Sequence, residues 1–186
     1  MKAIEGKENA VDFIENYKFD EAVLEWFDWY IETHFEYKLS DDEIQVVVEG
    51  LKDYLIFVVI SPKAVAAASK LVDELFHAFI LHTELYQVFC KGVGQFIHHY
   101  PIRKKVVLGN ETPLEKIEYN DHYQSIIRTY CLACQSSDLD PLTTNQVPYL
   151  FKVDSILPEK HAVLFDIKFF QSVLPKLGVH NFIIQE

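Results

Sequence analysis

The feature that most constrains the fold is a helical pattern of apolar residues at 41–60. Apolar side chains recur there at intervals of three and four residues: Ile44, Val47, Val48, Leu51, Leu55 and Val58. This is the period of an α-helix with one buried face. Ser40 and Glu43 precede it with the spacing of a capping box, which satisfies free N–H groups at a helix start. The pattern predicts a long helix that continues through the β-branched run at 56–60.

Further helices are predicted on both sides of this one. Glycine (6) and proline (7) are sparse, so turns are few and the elements between them are long. Residues 20–37 follow the helical period behind Asp20, a suitable N-cap. Ser61 and Pro62 have the pattern of an N-cap followed by proline at the first helical position. We therefore expect a helix that begins directly after residue 61.

The later part of the chain has shorter elements. Helix starts are predicted at Thr83 and Thr112, with Gly92 and Gly94 ending the first of these helices. The other predicted elements are a helix that runs to about Gln135, a helix within 162–178, and strands or extended arms at 149–157 and in the tail at 180–186. The predicted fold is a mainly α single-domain bundle of five to seven helices across residues 1–186, with short β or extended segments near the C-terminus.

The negative charge lies in the first third of the chain. Residues 1–60 contain 15 Asp and Glu against 5 Lys and Arg, a net charge of −10, whereas residues 61–186 contain 13 against 12, a net charge of −1. Direct binding of nucleic acid is disfavoured, because phosphate contacts need Lys and Arg. A solvated acidic face is one interpretation, and a surface for a basic partner is the other. For such a partner the candidate contacts are Glu25, Asp28, Glu32 and Glu36.

The composition favours a reducing compartment. Three cysteines are an odd, low count, and the N-terminal residues have no charged region followed by an apolar one. The longest apolar run, LIFVVI at 55–60, is far shorter than the ~20 residues that span a bilayer. The sequence predicts a soluble, cytoplasmic protein without a membrane segment.

Residues 72–101 concentrate the side chains that can bind a metal. Four of the eight histidines and one of the three cysteines lie in this otherwise apolar segment. Asp73 and His77 are four residues apart, so they share a helix face and the carboxylate can orient the imidazole. Tyr86 and Cys90 have the same spacing on the next helix. Asp73 and Tyr86 are assigned orienting or structural roles.

Three interpretations of these residues remain open: metal binding, a structural role, and catalysis without a metal. If the two helices are antiparallel, His77 can face Cys90, with His98 or His99 arriving from the glycine-containing segment. Three protein ligands with one open position are typical of catalytic zinc, so the candidate cofactor is a divalent metal such as zinc or iron. In the competing interpretation the imidazole makes a core hydrogen bond, and the free cysteine is a small buried hydrophobe.

Other chemical motifs carry less information. Cys131 and Cys134 form a single CxxC pair, but it falls inside a predicted helix and not at an N-terminus, where a thiolate would be stabilised. The GVG at 92–94 follows no strand, so it is no phosphate-binding loop. Neither motif supports a redox, zinc or nucleotide function.

The segment 73–101 also resembles known proteins. It reads D-x-x-F-H at 73–77, F-I-L-x-T-x-x-Y-x-x-F-C at 79–90 and H-H-Y-P at 98–101. This is similar to the D-x-x-W-H-x-H-x-L-x-P-x-x-Y-x-x-D-C signature of the glycine-rich-domain-containing-protein-like family, and closer to short bacterial uncharacterised proteins. VPYLFKVDSIL at 147–157 resembles their L-P-L-L-F-x-x-D segment. Phe79 replaces the second histidine, so the HxH pair of the signature is absent, and the resemblance implies a helical module without an activity to carry over.

Two functions follow as expectations. The first is a small acidic interaction module, such as an inhibitor, an immunity-type protein or an accessory protein, whose partner has a basic surface. The alternative is a metal-binding protein or metal-dependent enzyme that uses the region of His77, Cys90 and His98. The sequence leaves open whether the protein is an enzyme.

Overall fold

A computed structural model describes residues 7–99, 121–163 and 165–178. The mainly α fold is confirmed, since these residues form helices and no strand. The α-helices are α1 (Glu8–Glu15), α2 (Glu21–Phe35), α3 (Asp41–Ile60), α4 (Lys70–Leu81), α5 (Thr83–Val93), α6 (Asp121–Ser136) and α7 (Ile167–Val173). Short 3-10 helices cover Tyr149–Phe151, Val153–Ile156 and Leu174–Leu177.

Helix α3 is the centre of the fold. It contacts α1, α4, α6 and the first two 3-10 helices, and its second half is buried on nearly all sides. The predicted capping box is present, because the Ser40 hydroxyl accepts from the Glu43 N–H and the Glu43 carboxylate accepts from the Ser40 N–H. The predicted Asp20 cap of α2 is present as well. Both helices therefore begin where their capping residues place them.

The helix start predicted at Ser61 and Pro62 is wrong. Ser61 is the C-cap of α3, and α4 begins only at Lys70 behind Ser69. The Thr129 hydroxyl of α6 accepts from the N–H of Ala66 and donates to its carbonyl. These contacts satisfy backbone groups that a helix would satisfy internally, so residues 61–69 cross α6 without helical structure.

The two glycines near the end of α5 have different roles. Gly94 ends the helix as predicted, with φ of +82° in the left-handed region. Gly92 lies within the helix, and a Cβ built there would come 2.2 Å from the Phe13 ring of α1. Gly92 therefore permits the close approach of α1 and α5 and does not end the helix.

The strand or extended arm predicted at 149–157 is also wrong, since this segment forms two consecutive 3-10 helices, Tyr149–Phe151 and Val153–Ile156. Leu150, Phe151 and Val153 are buried there against α3 and α6. Two short turns of 3-10 helix can direct neighbouring apolar side chains into the same core. The apolar residues of this segment are therefore buried without pairing as a strand. The predicted helix start at Thr112 and the predicted arm at 180–186 lie outside the described residues.

Two sequence expectations about the remaining helices are confirmed in part. Helix α6 ends at Ser136, next to the predicted Gln135. Within the predicted 162–178 helix, only Ile167–Val173 is α-helical, and the Leu174–Leu177 turn ends at left-handed Gly178. In the part of the chain that the structure describes, no helix has both the length and the apolar character needed to cross a bilayer.

Candidate metal site

Helix α4 presents two candidate ligands on one face. Asp73 lies in the first turn of the helix and His77 one turn later, and the helix buries Leu75, Phe76 and Phe79 in the core. The helix start is fixed by Ser69, whose hydroxyl accepts from the Val72 N–H. The backbone geometry therefore places the carboxylate and the imidazole side by side at the edge of the core.

A third candidate ligand arrives from the segment after α5. Gly94 reverses the chain direction, and the Tyr86 hydroxyl donates a hydrogen bond to the Ile97 carbonyl. Ile97 is buried, and two residues later the His99 ring lies edge-on to Phe76 with centroids 5.3 Å apart. This hydrogen bond holds the segment after α5 on the path that brings His99 back to α4.

The three side chains converge. Asp73, His77 and His99 each offer one ligand atom, and these atoms all lie within 4.8 Å of one another. The His99 Nε2–H donates to Asp73 Oδ1 at 3.0 Å, and the rings of His77 and His99 are 4.5 Å apart. In a tetrahedral site with bonds near 2.1 Å, neighbouring ligand atoms are about 3.4 Å apart. The separations found here, 3.0 Å for His99 and Asp73 and at most 4.8 Å for the other pairs, differ from this value by at most about 1.4 Å.

Glu74 orients His77 from outside this group. The His77 Nδ1–H donates to Glu74 Oε2 at 3.3 Å. This hydrogen bond raises the pKa of His77 above its ordinary value; partial burial opposes the rise, and the charges of Asp73 and Glu74 add to it. Because Nδ1 is engaged by the carboxylate, Nε2 is the nitrogen that remains to bind a metal.

The group is half-buried, which suits a site that exchanges a ligand with solvent. The side chains of Asp73 and His77 are each 38% exposed, whereas His99 is 15% exposed. Two imidazoles and one carboxylate are the donor set of many iron and zinc centres. Three protein ligands would leave a metal with an open coordination position on the exposed side.

The structure does not bring the other predicted ligands into this group. Cys90 is buried, and its thiol interacts with the Tyr86 hydroxyl. Burial, with the thiol as a further cause, raises the pKa of Tyr86. His98 is exposed, and its ring lies 4.9 Å from Phe96. The third candidate ligand beside the two imidazoles is therefore Asp73 and not the predicted Cys90.

Sequence reasoning missed Glu74. Its spacing of three residues from His77 was a readable signal, because such residues are neighbours on a helix. Asp73 and Glu74 both lie within about a turn of His77, so spacing alone does not show which carboxylate accepts a hydrogen bond from the His77 imidazole. The position of His99 determines which carboxylate pairs with which ring. His99 donates a hydrogen bond to Asp73, and His77 donates one to Glu74.

The CxxC pair is structural in character. Cys131 and Cys134 are buried within α6. Burial, with Cys134 as a further cause, raises the pKa of Cys131 to about 12. Burial also raises the pKa of Cys134 to about 11; the Tyr130 hydrogen bond opposes this rise and Asp140 adds to it. Thiols with such pKa values stay protonated and unreactive at neutral pH.

The four carboxylates predicted to contact a partner are unequal. Lys38 forms ion pairs with Asp28 and Glu32, and Lys160 pairs with Glu36. Glu25 is exposed on the solvent face of α2. Part of the negative charge of this surface is therefore neutralised within the chain, and the assignment of these residues to a partner stays a prediction.

Fold and site define a mainly α-helical protein with a paired-histidine and carboxylate group at the edge of its core. The family model UCP032817-like matches residues 9–169, and the chain belongs to this uncharacterised family. The match gives no support to the glycine-rich-domain-containing-protein-like resemblance or to its motif. No curated protein and no solved structure matches the chain.

Proposed function

We propose that the protein binds a divalent transition metal through Asp73, His77 and His99. The observation that supports this most is the convergence of their ligand atoms within 4.8 Å at a half-exposed position. Imidazole suits zinc and iron, and a carboxylate completes a donor set used for both. Glu74 has the outer role usual at such sites, since metal-bound histidines mostly donate their second N–H to a carboxylate or carbonyl.

Metal binding would change the protonation of the imidazoles. In neutral His99 the Nε2–H that now donates to Asp73 would move to Nδ1, which frees Nε2 for a metal without releasing a proton. A doubly protonated imidazole would have to lose a proton first, so metal uptake should strengthen as pH rises. A water in the open position of the bound metal would become more acidic, which is the first requirement for hydrolytic chemistry. Metal binding is the primary function proposed, and such hydrolysis is a consequence of it.

Zinc titration of the chelator-treated full-length protein is expected to show one metal per chain. His77→Ala and His99→Ala should each weaken zinc binding by more than the roughly 10–100-fold that loss of an outer partner costs, and Glu74→Gln by about that factor. Isothermal titration calorimetry measures affinity and stoichiometry, and the d–d spectrum of bound Co²⁺ reports the geometry independently.

His98→Ala is the matched control, since it removes the adjacent, exposed imidazole and should leave the affinity unchanged. Two results would contradict the proposal. One is the absence of stoichiometric zinc binding by the wild-type protein, and the other is an equal loss of affinity in His98→Ala and His99→Ala.

A second candidate function is the binding of a protein with a basic surface. It is favoured by the solvent face of α2, where Trp29 is 56% exposed among carboxylates. Large exposed aromatic side chains are enriched at protein interfaces, and the negative charge selects a basic partner. Glu25 and Glu32 flank Trp29 at four and three residues.

A lysine-rich peptide tests this candidate through its charge alone. The wild-type protein should bind Lys-Gly-Ser repeats with an affinity that falls as salt rises, because exposed charges are screened. Charge reversal in Glu25→Lys/Glu32→Lys should abolish the binding measured by calorimetry, whereas Glu84→Lys on α5 should not. Binding that ignores salt, or that survives the double reversal, would rule this function out.

A further inference from the structure

Helix α2 carries a connected set of aromatic rings that extends from the edge of the core to the solvent face. Trp26 stacks on Tyr30 with centroids 5.2 Å apart and planes 12° apart, and Tyr30 stacks on His34 at 4.1 Å. Trp29 meets the edges of Trp26 at 6.0 Å and of His34 at 6.4 Å. Four rings thus contact one another, and the Trp29 indole is 56% exposed.

Trp26 and Tyr30 are half-buried and pack against the core, whereas Trp29 and His34 are exposed. The opposite face of α2 buries Val23, Phe27, Ile31 and Phe35. At 100° per residue, Trp29 lies near the centre of the face that points away from them. The helix is therefore amphipathic, yet it places its largest side chain in solvent, where the hydrophobic effect opposes it.

Carboxylates border the indole on its other side. Glu25 lies four residues before Trp29 and Glu32 three residues after, so both are its neighbours on the helix surface. Lys38 pairs with Asp28. Glu32 also forms an ion pair with Lys38, at 3.4 Å, and both of these side chains are more than half exposed. Such an exposed pair contributes little and exchanges readily with a competing cation.

We propose that the surface formed by Trp29, Glu25 and Glu32 binds an arginine side chain of a basic protein segment. The inference rests on the second candidate function and specifies the group recognised. A guanidinium is planar, so it can lie flat on the indole while its N–H groups point sideways to carboxylates. A lysine ammonium is a compact, strongly hydrated charge and gains less from an aromatic face.

Charge complementarity selects this occupant over others. Residues 1–60 have a net charge of −10, which repels nucleic acid and anionic lipid. A second copy of the chain would bring the same negative surface and the same repulsion. A cationic segment is attracted by the carboxylates and can use the exposed ring at the same time.

The test compares Arg-Gly-Ser repeats with Lys-Gly-Ser repeats of equal length and charge on the full-length protein. The arginine peptide should bind roughly two- to fivefold more tightly and should shift the tryptophan fluorescence. Trp29→Ala should erase this preference, so that the arginine and lysine peptides bind the variant with equal affinity. Val88→Ala, which truncates another exposed apolar side chain (64%) on α5, is the control and should retain the preference.

The outcomes separate the two proposals. If both peptides bind wild-type protein equally, arginine recognition is overturned and charge-based binding of a basic partner stands. If neither peptide binds, both are overturned. If the wild-type protein sediments as a dimer and Trp29→Ala as a monomer, the surface binds a second copy of the chain and the arginine proposal fails.

Discussion

Replacing Asp154 with alanine is expected to lower the free energy of unfolding by about 3–5 kcal/mol. Asp154 is 1% exposed and lies in the second 3-10 helix. Its carboxylate accepts from the Ser69 hydroxyl at 2.6 Å, from the Lys70 N–H at 2.8 Å and from the Leu71 N–H at 3.0 Å. Without it, donors at the buried start of α4 lose their acceptor and have little access to water.

Asp20→Ala supplies the comparison. Asp20 is also an aspartate that caps a helix, and it accepts from the Ala22 N–H at 3.0 Å, but at an exposed position. Its loss should cost about 1 kcal/mol, because water replaces the lost acceptor. Denaturant unfolding followed by circular dichroism measures both values. Equal effects for the two variants would show that burial does not set the importance of Asp154.

Asp154 also connects two segments that are distant in sequence. It lies 81 residues beyond Asp73 by residue number and is the aspartate of the VPYLFKVDSIL segment. Through the N-terminus of α4, it holds the helix that carries Asp73 and His77. We therefore expect Asp154→Ala to weaken zinc binding as a secondary effect of the loosened helix.

The second large effect is expected from Asp53→Asn, which should stabilise the protein at about pH 7.5 by up to about 3 kcal/mol. Burial, together with the charges of Glu49 and Glu15, raises the pKa of Asp53 from 3.8 to about 6. The neighbouring Lys52 binds the Glu49 carboxylate and the Glu15 carbonyl oxygen. Folding therefore opposes the charged form of Asp53, and asparagine removes the charge at nearly constant volume.

The pH dependence has a definite sign. Below pH 3.8 the Asp53 carboxyl is protonated in the folded and unfolded states alike, and it contributes no difference. Between 3.8 and about 6 the folded state binds more protons, so its stability falls as pH rises. Above about pH 6 the carboxyl is ionised in both states, and the full cost is present.

Unfolding of wild type and Asp53→Asn in denaturant at about pH 7.5 and about pH 3.5 should therefore give a large difference at the first pH and almost none at the second. Asp12→Asn on α1 is the control, because Asp12 is exposed and its neutralisation should change stability little. A gain that persists at the acidic pH would mean that packing, and not charge, explains the variant.

Much of the helical framework could be predicted from local sequence. The capping box at Ser40, the cap at Asp20 and the left-handed Gly94 act through contacts within a few residues, so their spacing reveals them. Ser61 and Pro62 satisfied the same rules and gave no helix. There the decisive contact comes from Thr129, which is distant in sequence, and local patterns contain no information about it.

The same distinction between local and distant contacts applies to the candidate metal site. Sequence spacing determined that Asp73 and His77 share a face of α4, that Tyr86 lies on the next helix, and that His98 and His99 follow a glycine turn. The choice of His99 over His98, the exclusion of Cys90 and the pairing of Glu74 with His77 were decided by tertiary structure. The chain path after Gly94, fixed by the Tyr86 bond to Ile97, sets which imidazole reaches α4. A helix period fixes angles within one helix, whereas the meeting of two segments depends on the packing between them.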